Sequence, residues 1–361
     1  MNIDEKIAIV KSVSAEILTE DELRKLFEEK EHPIAYDGFE PSGNIHIAQG
    51  LLRAITVNRL ASTGIRFIFW VADWFSLMNN KMGGDLEKIK TVGEYFIEVW
   101  KASGMNLEHV KFIWASERMD QEYWLRTIRI GMANSVERIE RCGQIMGRDD
   151  KNLSAAQIFY PVMQCSDVFE LDVDIMQLGM DQRKVNVLAR EMADKFGWKK
   201  PVAIHHVMLP GLHQIDSNLT GADAAIAKKM SKSNPDSAIF MTDSAAEVIR
   251  KMNKAYCPEG IAQDNPVLEY FKLIVFPLMT VVVVERPEKF GGNASFSHYS
   301  ELETAFTTQG PDGKFLLHPM DLKKTCAQCI NMLLEPVRFH FAHDAHARHL
   351  LEKVQSYTVT R

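Results

Sequence analysis

Residues 66–73 read Arg-Phe-Ile-Phe-Trp-Val-Ala-Asp, a continuous apolar run that ends at an acid. A short continuous run bounded by turns is typical of a strand buried on both faces, whereas a half-exposed strand alternates. Similar runs occur at 33–36, 109–114, 173–178 and 202–207, and helical stretches separate them. Strands that alternate with helices predict a parallel α/β sheet.

The stretches outside this sheet are mostly helical. The apolar spacing predicts an opening helix over 3–29, with a break and restart at Thr19, where Thr-Glu-Asp-Glu fits a capping box. Residues 118–170 interrupt the alternation and are interpreted as a helical insertion between two halves of the sheet. After Lys232 helices dominate, with a loop at 285–293 and a last helix over 319–355, in one piece or two.

The composition limits the class of protein. The chain has 361 residues, enough for two or three domains, with 46% apolar and 25% charged residues. Its formal net charge of −6 argues against a surface coated in basic residues for unspecific nucleic-acid binding, although a local basic groove is compatible with it.

The cysteines and the N-terminus indicate a compartment. The five cysteines are sparse and odd in number, which argues against a disulfide framework and favours a reducing environment. We interpret Cys326-x-x-Cys329 as two thiols on one helix. Neither a secretory signal nor a membrane span of about 20 apolar residues is recognisable, so we expect a cytoplasmic protein without membrane association.

A glycine-rich turn follows the first predicted strand. Residues 38–43 read GFEPSG, and His46 then lies in the first turn of the predicted helix. A strand-to-helix turn offers amide groups and a partial positive charge to a phosphate, and Gly38 and Gly43 allow the backbone to approach a nucleotide. Ordinary packing would explain the same pattern.

A lysine-rich loop is the second candidate. Residues 228–233 read KKMSKS, between Gly221 and Pro235. Two ammonium groups on a mobile loop suit the negative charge that develops on a departing polyphosphate. A solvated basic loop is the alternative.

A third pattern lies on a predicted helix. Tyr160, Gln164 and Asp167 are spaced i, i+4 and i+7, so they share one face. A polar face on an otherwise apolar helix indicates either a buried hydrogen-bond network or a binding site.

Taken together in this order, the motifs resemble those of class I aminoacyl-tRNA synthetases, and nearly the whole chain is similar to tyrosyl-tRNA synthetases of the archaeal and eukaryotic type. The blocks that carry the resemblance are AYDGFEPSGNIHIAQG (35–50), YPVMQCSD (160–167), GMDQRK (179–184), LAREM (188–192), KMSKS (229–233), RPEKFGG (286–292) and LHPMDLK (317–323).

The resemblance implies a Rossmann-type catalytic domain over 1–234, with the insertion at 118–170 and the lysine loop at 221–236. A helical anticodon-binding domain follows over 235–361. It also implies a reaction, in which tyrosine and ATP form tyrosyl-adenylate and pyrophosphate and tyrosine then passes to tRNA(Tyr). ATP would be a substrate accompanied by Mg²⁺, and a homodimer would form through the insertion.

The resemblance assigns roles to individual residues. It implies catalytic roles for His46, Gln49, Lys229 and Lys232, and a tyrosine pocket built from Tyr36, Tyr160, Gln164, Asp167 and Gln182. It places ATP against Gly38, Glu40, Ser42, His46, Gln49, Met230 and Ser231. It places tRNA against Arg141, Arg183, Phe290, His318 and Asp321.

Some of these residues have a purely structural role as an alternative. Phe290 could be a core aromatic, and Asp321 could be a helix N-cap near Pro319. A metal interpretation of His340, His343, His346 and His349 fails on spacing, because single-helix zinc sites use i, i+4 pairs, so these four are expected on a solvated helical face and no protein-bound metal is predicted.

The chain departs from the class pattern at one point. The usual His-x-Gly-His is here His46-Ile47-Ala48-Gln49. A glutamine can donate a hydrogen bond but cannot become charged, so His46 and the loop lysines are expected to carry more of the contact with phosphate.

Three alternative functions are compatible with parts of the sequence. A tryptophanyl-tRNA synthetase shares the chemistry, but paired contacts from Tyr36 and Asp167 suit a phenol better than an indole. A catalytically inactive relative that binds RNA or protein finds support in Gln49 alone. A nucleotidyltransferase with another substrate would not need the block at 317–323.

Overall fold

A six-stranded sheet forms the centre of the molecule. The structure is a computed structural model that describes residues 1–143, 153–214, 230, 234–311 and 313–357. The strands are β1 (Ser14–Leu18), β2 (Ile34–Phe39), β3 (Arg66–Val71), β4 (Val110–Trp114), β5 (Ile175–Gly179) and β6 (Val202–His206). Their spatial order is β1-β6-β5-β2-β3-β4, and all pairs are parallel except β1 with β6. The five predicted strands and the predicted α/β fold are confirmed.

The order reverses between β2 and β5. From β2 the chain continues outward through β3 and β4, and it then returns to the other side of β2 to form β5 and β6. Loops at the carboxyl ends of the two central strands therefore leave in opposite directions and open a crevice between them. Ligands of open α/β sheets bind in this crevice.

The N-terminal segment differs from its prediction. The expected single helix is two helices, α1 (Ile3–Val13) and α2 (Glu20–Glu29), with β1 between them. The restart at Thr19 is confirmed, since Thr19 and Glu22 form a reciprocal capping box. The strand itself was missed because Ser14–Leu18 is a half-buried edge whose extended shape depends on pairing with β6.

Helices cover both faces of the sheet. In the first part of the chain they are α3 (Arg53–Ala61), α4 (Asp73–Met78), α5 (Leu86–Ala102), α6 (Gln121–Met132), α7 (Val136–Gly143), α8 (Ala155–Glu170) and α9 (Arg183–Phe196). A π-helical turn, Ala48–Leu52, precedes α3. The described part of the predicted insertion is helical, as expected.

The C-terminal part is mainly helical. Its helices are α10 (Ala245–Lys254), α11 (Pro266–Tyr270), α12 (Phe276–Leu278), α13 (Tyr299–Thr307), α14 (Pro319–His343) and α15 (Ala345–Ser356), with a π turn at Phe271–Val275. A hairpin of β7 (Val282–Val284) and β8 (Ala294–Phe296), which the sequence did not reveal, flanks the predicted loop at 285–293. The last helix is in two pieces, and Asp344 caps the second.

The sheet separates two apolar cores. Along β2, Ala35 and Phe39 face the core that α3, α5 and the C-terminal helices share, and Tyr36 faces the core built with α6, α8 and α9. The first core runs without interruption from the sheet into α14, so the boundary at 234/235 stays a prediction.

Two expectations about cysteine and histidine can be compared with the structure. All five cysteines are free and buried, and Cys326 and Cys329 lie on α14. His343, His346 and His349 are exposed, but His340 is half-buried and lies 2.8 Å from Glu98 on α5. For His340 the expectation of a solvated face was therefore wrong.

Within the described ranges, no helix combines the length and the apolar character that crossing a membrane requires.

Candidate active site

A cavity of about 290 Å³ opens at the carboxyl ends of β2, β3, β5 and β6, at the point where the strand order reverses. Ten of the predicted site residues line it. They are Tyr36, Gly38, Glu40, His46, Gln49, Tyr160, Gln164, Asp167, Gln182 and Met230. The structure thus brings together side chains that are up to 194 positions apart, because parallel strands deliver their ends to one edge.

The floor of the cavity holds a buried carboxyl group. Asp167 is 1% exposed, and the Tyr36 hydroxyl donates to its Oδ2 at 3.4 Å. The Tyr123 hydroxyl donates to its Oδ1 at 2.9 Å, from α6. Burial raises the pKa of Asp167 well above its ordinary value, and the two hydroxyl groups oppose that rise. Such a group can exchange hydrogen bonds with one more hydroxyl.

Helix α8 carries the wall above this floor. Ser154 and Gln157 cap the helix reciprocally, and its polar face points to the cavity. The Tyr160 hydroxyl donates to Glu40 Oε1 at 2.5 Å, and Gln164 Nε2 donates to Gln182 Oε1 at 3.1 Å. Among the described residues Gln164 Oε1 is buried and has no hydrogen-bond partner, so an acceptor is available to a ligand ammonium group.

The turn at 45–50 is held by backbone pairing. Ile47 N donates to Ile239 O at 2.8 Å, and Gln49 N and Gly50 N both donate to His46 O at 2.9 Å. These amides are therefore engaged, and the expectation of free amide groups is wrong for them. These three amides are therefore not free to bind a phosphate.

Glycine is favoured at positions 43 and 38 of the turn for two different physical reasons. Gly43 has φ of +89°, a conformation that side chains disfavour. At Gly38 a Cβ would lie 2.8 Å from the Tyr36 hydroxyl oxygen, so the glycine leaves room for the floor of the cavity.

Not every predicted residue lines the cavity. Ser42 does not, although Glu40, two residues earlier, does. Lys229, Ser231 and Lys232 lie outside the described residues, and Met230 alone represents that loop on the cavity wall.

Sequence reasoning missed a buried ion pair. Asp37, in the middle of β2, is fully buried and pairs with Arg53 at the start of α3. Arg53 lines the cavity and its side chain is 14% exposed. A charged residue inside a buried strand was the available signal, since such a residue needs a partner.

His206, at the end of β6, was also missed. Its Nδ1 lies 2.7 Å from Gln177 Nε2, and it lines the cavity with Asp181. Burial, reinforced by the charge of Arg53, lowers the pKa of His206 to about 3, so the ring is neutral at pH 7.

The candidate tRNA-binding residues lie on other surfaces. Phe290 is 60% exposed, which rules out the core alternative. Arg286, in the same loop, donates to Leu316 O, which joins the loop to the start of α14. His318 caps α14 by accepting from Met320 N at 3.1 Å, so the N-cap interpretation of Asp321 was wrong.

The two arginines predicted near the acceptor end differ. Arg141 is exposed near the end of α7. Arg183 follows Gln182 at the start of α9, and its Nε donates to Glu16 Oε2 on β1 at 2.7 Å.

Residues 28–335 match the family described as tRNA synthetases class I (W and Y). The chain is 48% identical over 364 residues to tyrosine–tRNA ligase 1, cytoplasmic, of Arabidopsis thaliana, an alignment that covers 99% of this chain and 90% of that protein.

Two solved structures are similar over almost the whole chain. The tyrosyl-tRNA synthetase of Pyrococcus horikoshii, complexed with L-tyrosine, has a TM-score of 0.89 and 36% identity, and 99% and 100% of the two chains are covered. The tyrosyl-tRNA synthetase of Leishmania major, complexed with tyrosinol, has a TM-score of 0.89 and 44% identity. That match covers 99% of this chain but 61% of the longer Leishmania chain.

Proposed function

The chain belongs to the tyrosine–tRNA ligases within the class I tRNA synthetases, and on that premise we propose that the cavity activates tyrosine with ATP and that tyrosine then passes to the 3′ end of tRNA(Tyr). The observation that carries the proposal is the buried Tyr36–Asp167 pair at the floor of the cavity. Relatives bound to L-tyrosine and tyrosinol support it.

The floor accounts for the choice of amino acid. A substrate phenol would take its place between the Tyr36 hydroxyl and Asp167, donating to one and accepting from the other. Phenylalanine has no hydroxyl and would form a hydrogen bond with neither group, and tyrosyl-tRNA synthetases are a known example of rejection by this means, by about 10⁵ without editing. Tryptophan offers a single donor and is bulkier, so the same floor disfavours it.

We assign the other end of tyrosine to the wall of α8. Its ammonium group would meet Gln164 Oε1, which is buried and has no hydrogen-bond partner among the described residues, together with Tyr160 and Gln182. This orientation directs the tyrosine carboxylate toward the turn that holds His46.

The first step needs positioning and charge stabilisation. A carboxylate oxygen of tyrosine attacks the α-phosphorus of ATP, the bond to the bridging oxygen breaks, and pyrophosphate leaves with that electron pair. No proton moves, so no general base is required. We assign phosphate contacts to His46, Gln49, Lys229 and Lys232, and the nucleotide to the turn that includes Gly38, Glu40 and Ser42 and to the loop with Met230 and Ser231.

Mg²⁺ would accompany ATP and neutralise part of its phosphate charge. In proteins Mg²⁺ is usually held by substrate phosphates, water and one or two carboxylates. The carboxylates of Glu40 and Asp181 line the cavity and are the side chains suited to contact it.

For the tRNA we propose two contact regions. Exposed Phe290 can stack on an unpaired base. His318 and Asp321 lie at the start of α14, which Arg286 joins to the loop of Phe290, and they can hydrogen-bond to base edges. Arg141 and Arg183 would meet the acceptor end.

We also propose a homodimer through the insertion, in the cytoplasm. Apolar side chains are exposed on the insertion helices, which is unusual for a free surface. They are Trp124, Leu125, Ile128 and Met132 on α6, Val136 on α7 and Phe159 on α8.

One assay tests the reaction directly. Exchange of radioactive pyrophosphate into ATP should occur with tyrosine and not with phenylalanine or tryptophan. Exchange with tryptophan would move the assignment to the sister branch of the family. Absence of exchange with every amino acid would indicate the inactive relative that Gln49 suggests.

The tRNA assignment has its own test. Asp321→Ala should weaken aminoacylation of tRNA(Tyr) by at least tenfold, roughly the effect of a lost base contact, and leave pyrophosphate exchange nearly unchanged. Glu303→Ala, on α13, is the control. Equal loss of both activities would show that Asp321 is structural.

A further inference from the structure

The described part of the cavity lining is poor in positive charge. Among the described residues that line it, Arg53 is the one side chain that is always cationic. Three carboxyl groups, those of Glu40, Asp167 and Asp181, also face it, and His206 is neutral at pH 7. On the described lining, a triphosphate therefore meets one permanently charged cation, Arg53.

The motif turn supplies little of that compensation. Its amides at Ile47, Gln49 and Gly50 donate to backbone carbonyls. Gln49 occupies the place of a histidine and cannot carry charge. Its Oε1 can only accept hydrogen bonds, so within this side chain only the uncharged Nε2 group can donate to a phosphate oxygen.

Arg53 is placed to act beside Gln49. It follows the π turn by one residue, four positions after Gln49, and both side chains line the same cavity. π turns of this kind are often associated with functional sites. The guanidinium lies over the ring of Phe69, 5.9 Å from its centre, so packing limits its movement.

Asp37 holds Arg53 in place but does not use all of its hydrogen-bond donors. Asp37 pairs with Nη1, and among the described residues it is the one acid within ion-pair distance of Arg53. A guanidinium has five donors in a rigid fork, and one carboxylate engages at most two. The fork is therefore fixed at one edge, while its 14% exposed side chain faces the cavity.

We propose that Arg53 binds the triphosphate of ATP and supplies the positive charge that Gln49 cannot supply at this edge of the cavity. The proposal rests on the function proposed above, because it takes ATP to be the ligand. Arg53 is then a substrate-contacting residue for the activation step, and Asp37 is the residue that positions it.

The competing explanation is that Arg53 only neutralises Asp37. Three variants separate the two: Arg53→Met, Arg53→Lys, and the double variant Asp37→Asn/Arg53→Met, which removes both charges and leaves none buried alone. Arg59→Met on the outer end of the same helix is the control, because Arg59 is exposed and donates to Ser12 outside the cavity.

The measurement is calorimetric binding of a non-hydrolysable ATP analogue and, separately, of tyrosine. Losing a charge-assisted contact should weaken analogue binding about 10- to 100-fold in Arg53→Met and in the double variant. Arg53→Lys should lose less, because it keeps the charge but not the fork. Tyrosine affinity should stay within about twofold, and Arg59→Met should match the wild type.

The outcomes that contradict the proposal are distinct. Normal analogue binding by the double variant would show that Arg53 merely neutralises Asp37. Joint loss of analogue and tyrosine binding in every Arg53 variant would indicate general disruption. Since analogue binding requires no amino acid, a wild type without tyrosine-dependent exchange would overturn the proposed function and leave this test intact.

Discussion

Asp167 is the residue on which the proposed selectivity for tyrosine depends. Its two oxygens are bonded unequally, at 2.9 Å to the Tyr123 hydroxyl and at 3.4 Å to that of Tyr36. The short bond fixes Oδ1, and the long one leaves Oδ2 open to a stronger donor. Tyr123 was absent from the predicted site, because it lies on the insertion and no motif marks it.

Tyr123→Phe should reduce discrimination between tyrosine and phenylalanine. Without its hydroxyl the carboxyl group can rotate, which should cost tyrosine about 1 kcal/mol, or roughly fivefold in kcat/KM. Pyrophosphate exchange with both amino acids measures the effect. The control is Tyr299→Phe, which removes a hydrogen bond of 2.8 Å to Glu303 on α13, a helix of the C-terminal part. Equal losses for both amino acids would contradict a role in selectivity.

Asp37 gives a prediction for pH. Burial raises its pKa to about 6, against the pull of Arg53, whereas an unfolded aspartate titrates near 3.9. The folded state therefore binds the proton more tightly, and stability that is present below about pH 4 is lost as the pH rises to 6. This difference corresponds to about 3 kcal/mol.

Urea unfolding of the wild type and of Asp37→Asn at several pH values tests this loss. Asparagine cannot titrate, so the unfolding free energy of the wild type relative to the variant should fall by up to about 3 kcal/mol between pH 4 and 6.5. A difference that does not change with pH would show that Asp37 has an ordinary pKa.

At the scale of elements, the motif turn depends on a segment far away in sequence. Residues 239–241 pair with residues 45–47 through two backbone hydrogen bonds. Helix α10 holds this segment with a buried lysine. Lys251 Nζ, on a side chain 2% exposed, donates to Ala238 O at 3.0 Å and to Asp243 Oδ2 at 2.7 Å.

Lys251→Met should therefore destabilise the protein and weaken the ATP site together. Removing one partner leaves Asp243 without its countercharge, which costs about 3–5 kcal/mol for a buried pair. Urea unfolding and KM for ATP measure the two effects. Lys254→Met, on the same helix with a side chain 63% exposed, should change stability by less than about 0.5 kcal/mol. Similar losses in both variants would refute the special role of Lys251.

At the scale of the whole molecule, the sheet separates two cores that connect it to different parts of the chain. The core on one side ties it to the C-terminal helices, and the core on the other side ties it to the insertion. The insertion contributes Tyr123 to the floor of the cavity, and it exposes an apolar stripe on the opposite face of α6, at 125, 128 and 132. The proposed amino-acid site and the proposed dimer surface therefore share one helix.

Ile128→Asp should turn the proposed dimer into a monomer. A carboxylate placed against its symmetry-related neighbour in an apolar contact would be buried without a partner, and we expect at least a tenfold weaker association, since such burial costs more than about 1.4 kcal/mol. Sedimentation velocity measures the change. Ile249→Asp, an isoleucine with similar exposure on α10, should have no effect. A monomeric wild type would contradict the proposed dimer.

The sequence by itself determined the class of fold and much of the site. Five apolar runs predicted the five parallel strands, because a strand buried on both faces has few alternatives. The i, i+4, i+7 pattern on α8 predicted a polar face that does line the cavity. These properties are local, so short stretches of sequence carry them.

Only the tertiary structure decided the rest. Strand β1 exists because β6 pairs with it, Tyr123 reaches Asp167 because α6 packs on α8, and the motif amides are engaged because residues 239–241 run beside them. The Asp37–Arg53 pair likewise joins β2 to the start of α3. Each is a contact between segments whose separation in the chain contains no information about their separation in space, so hydrogen-bonding demand could predict that a partner exists but not which residue it is.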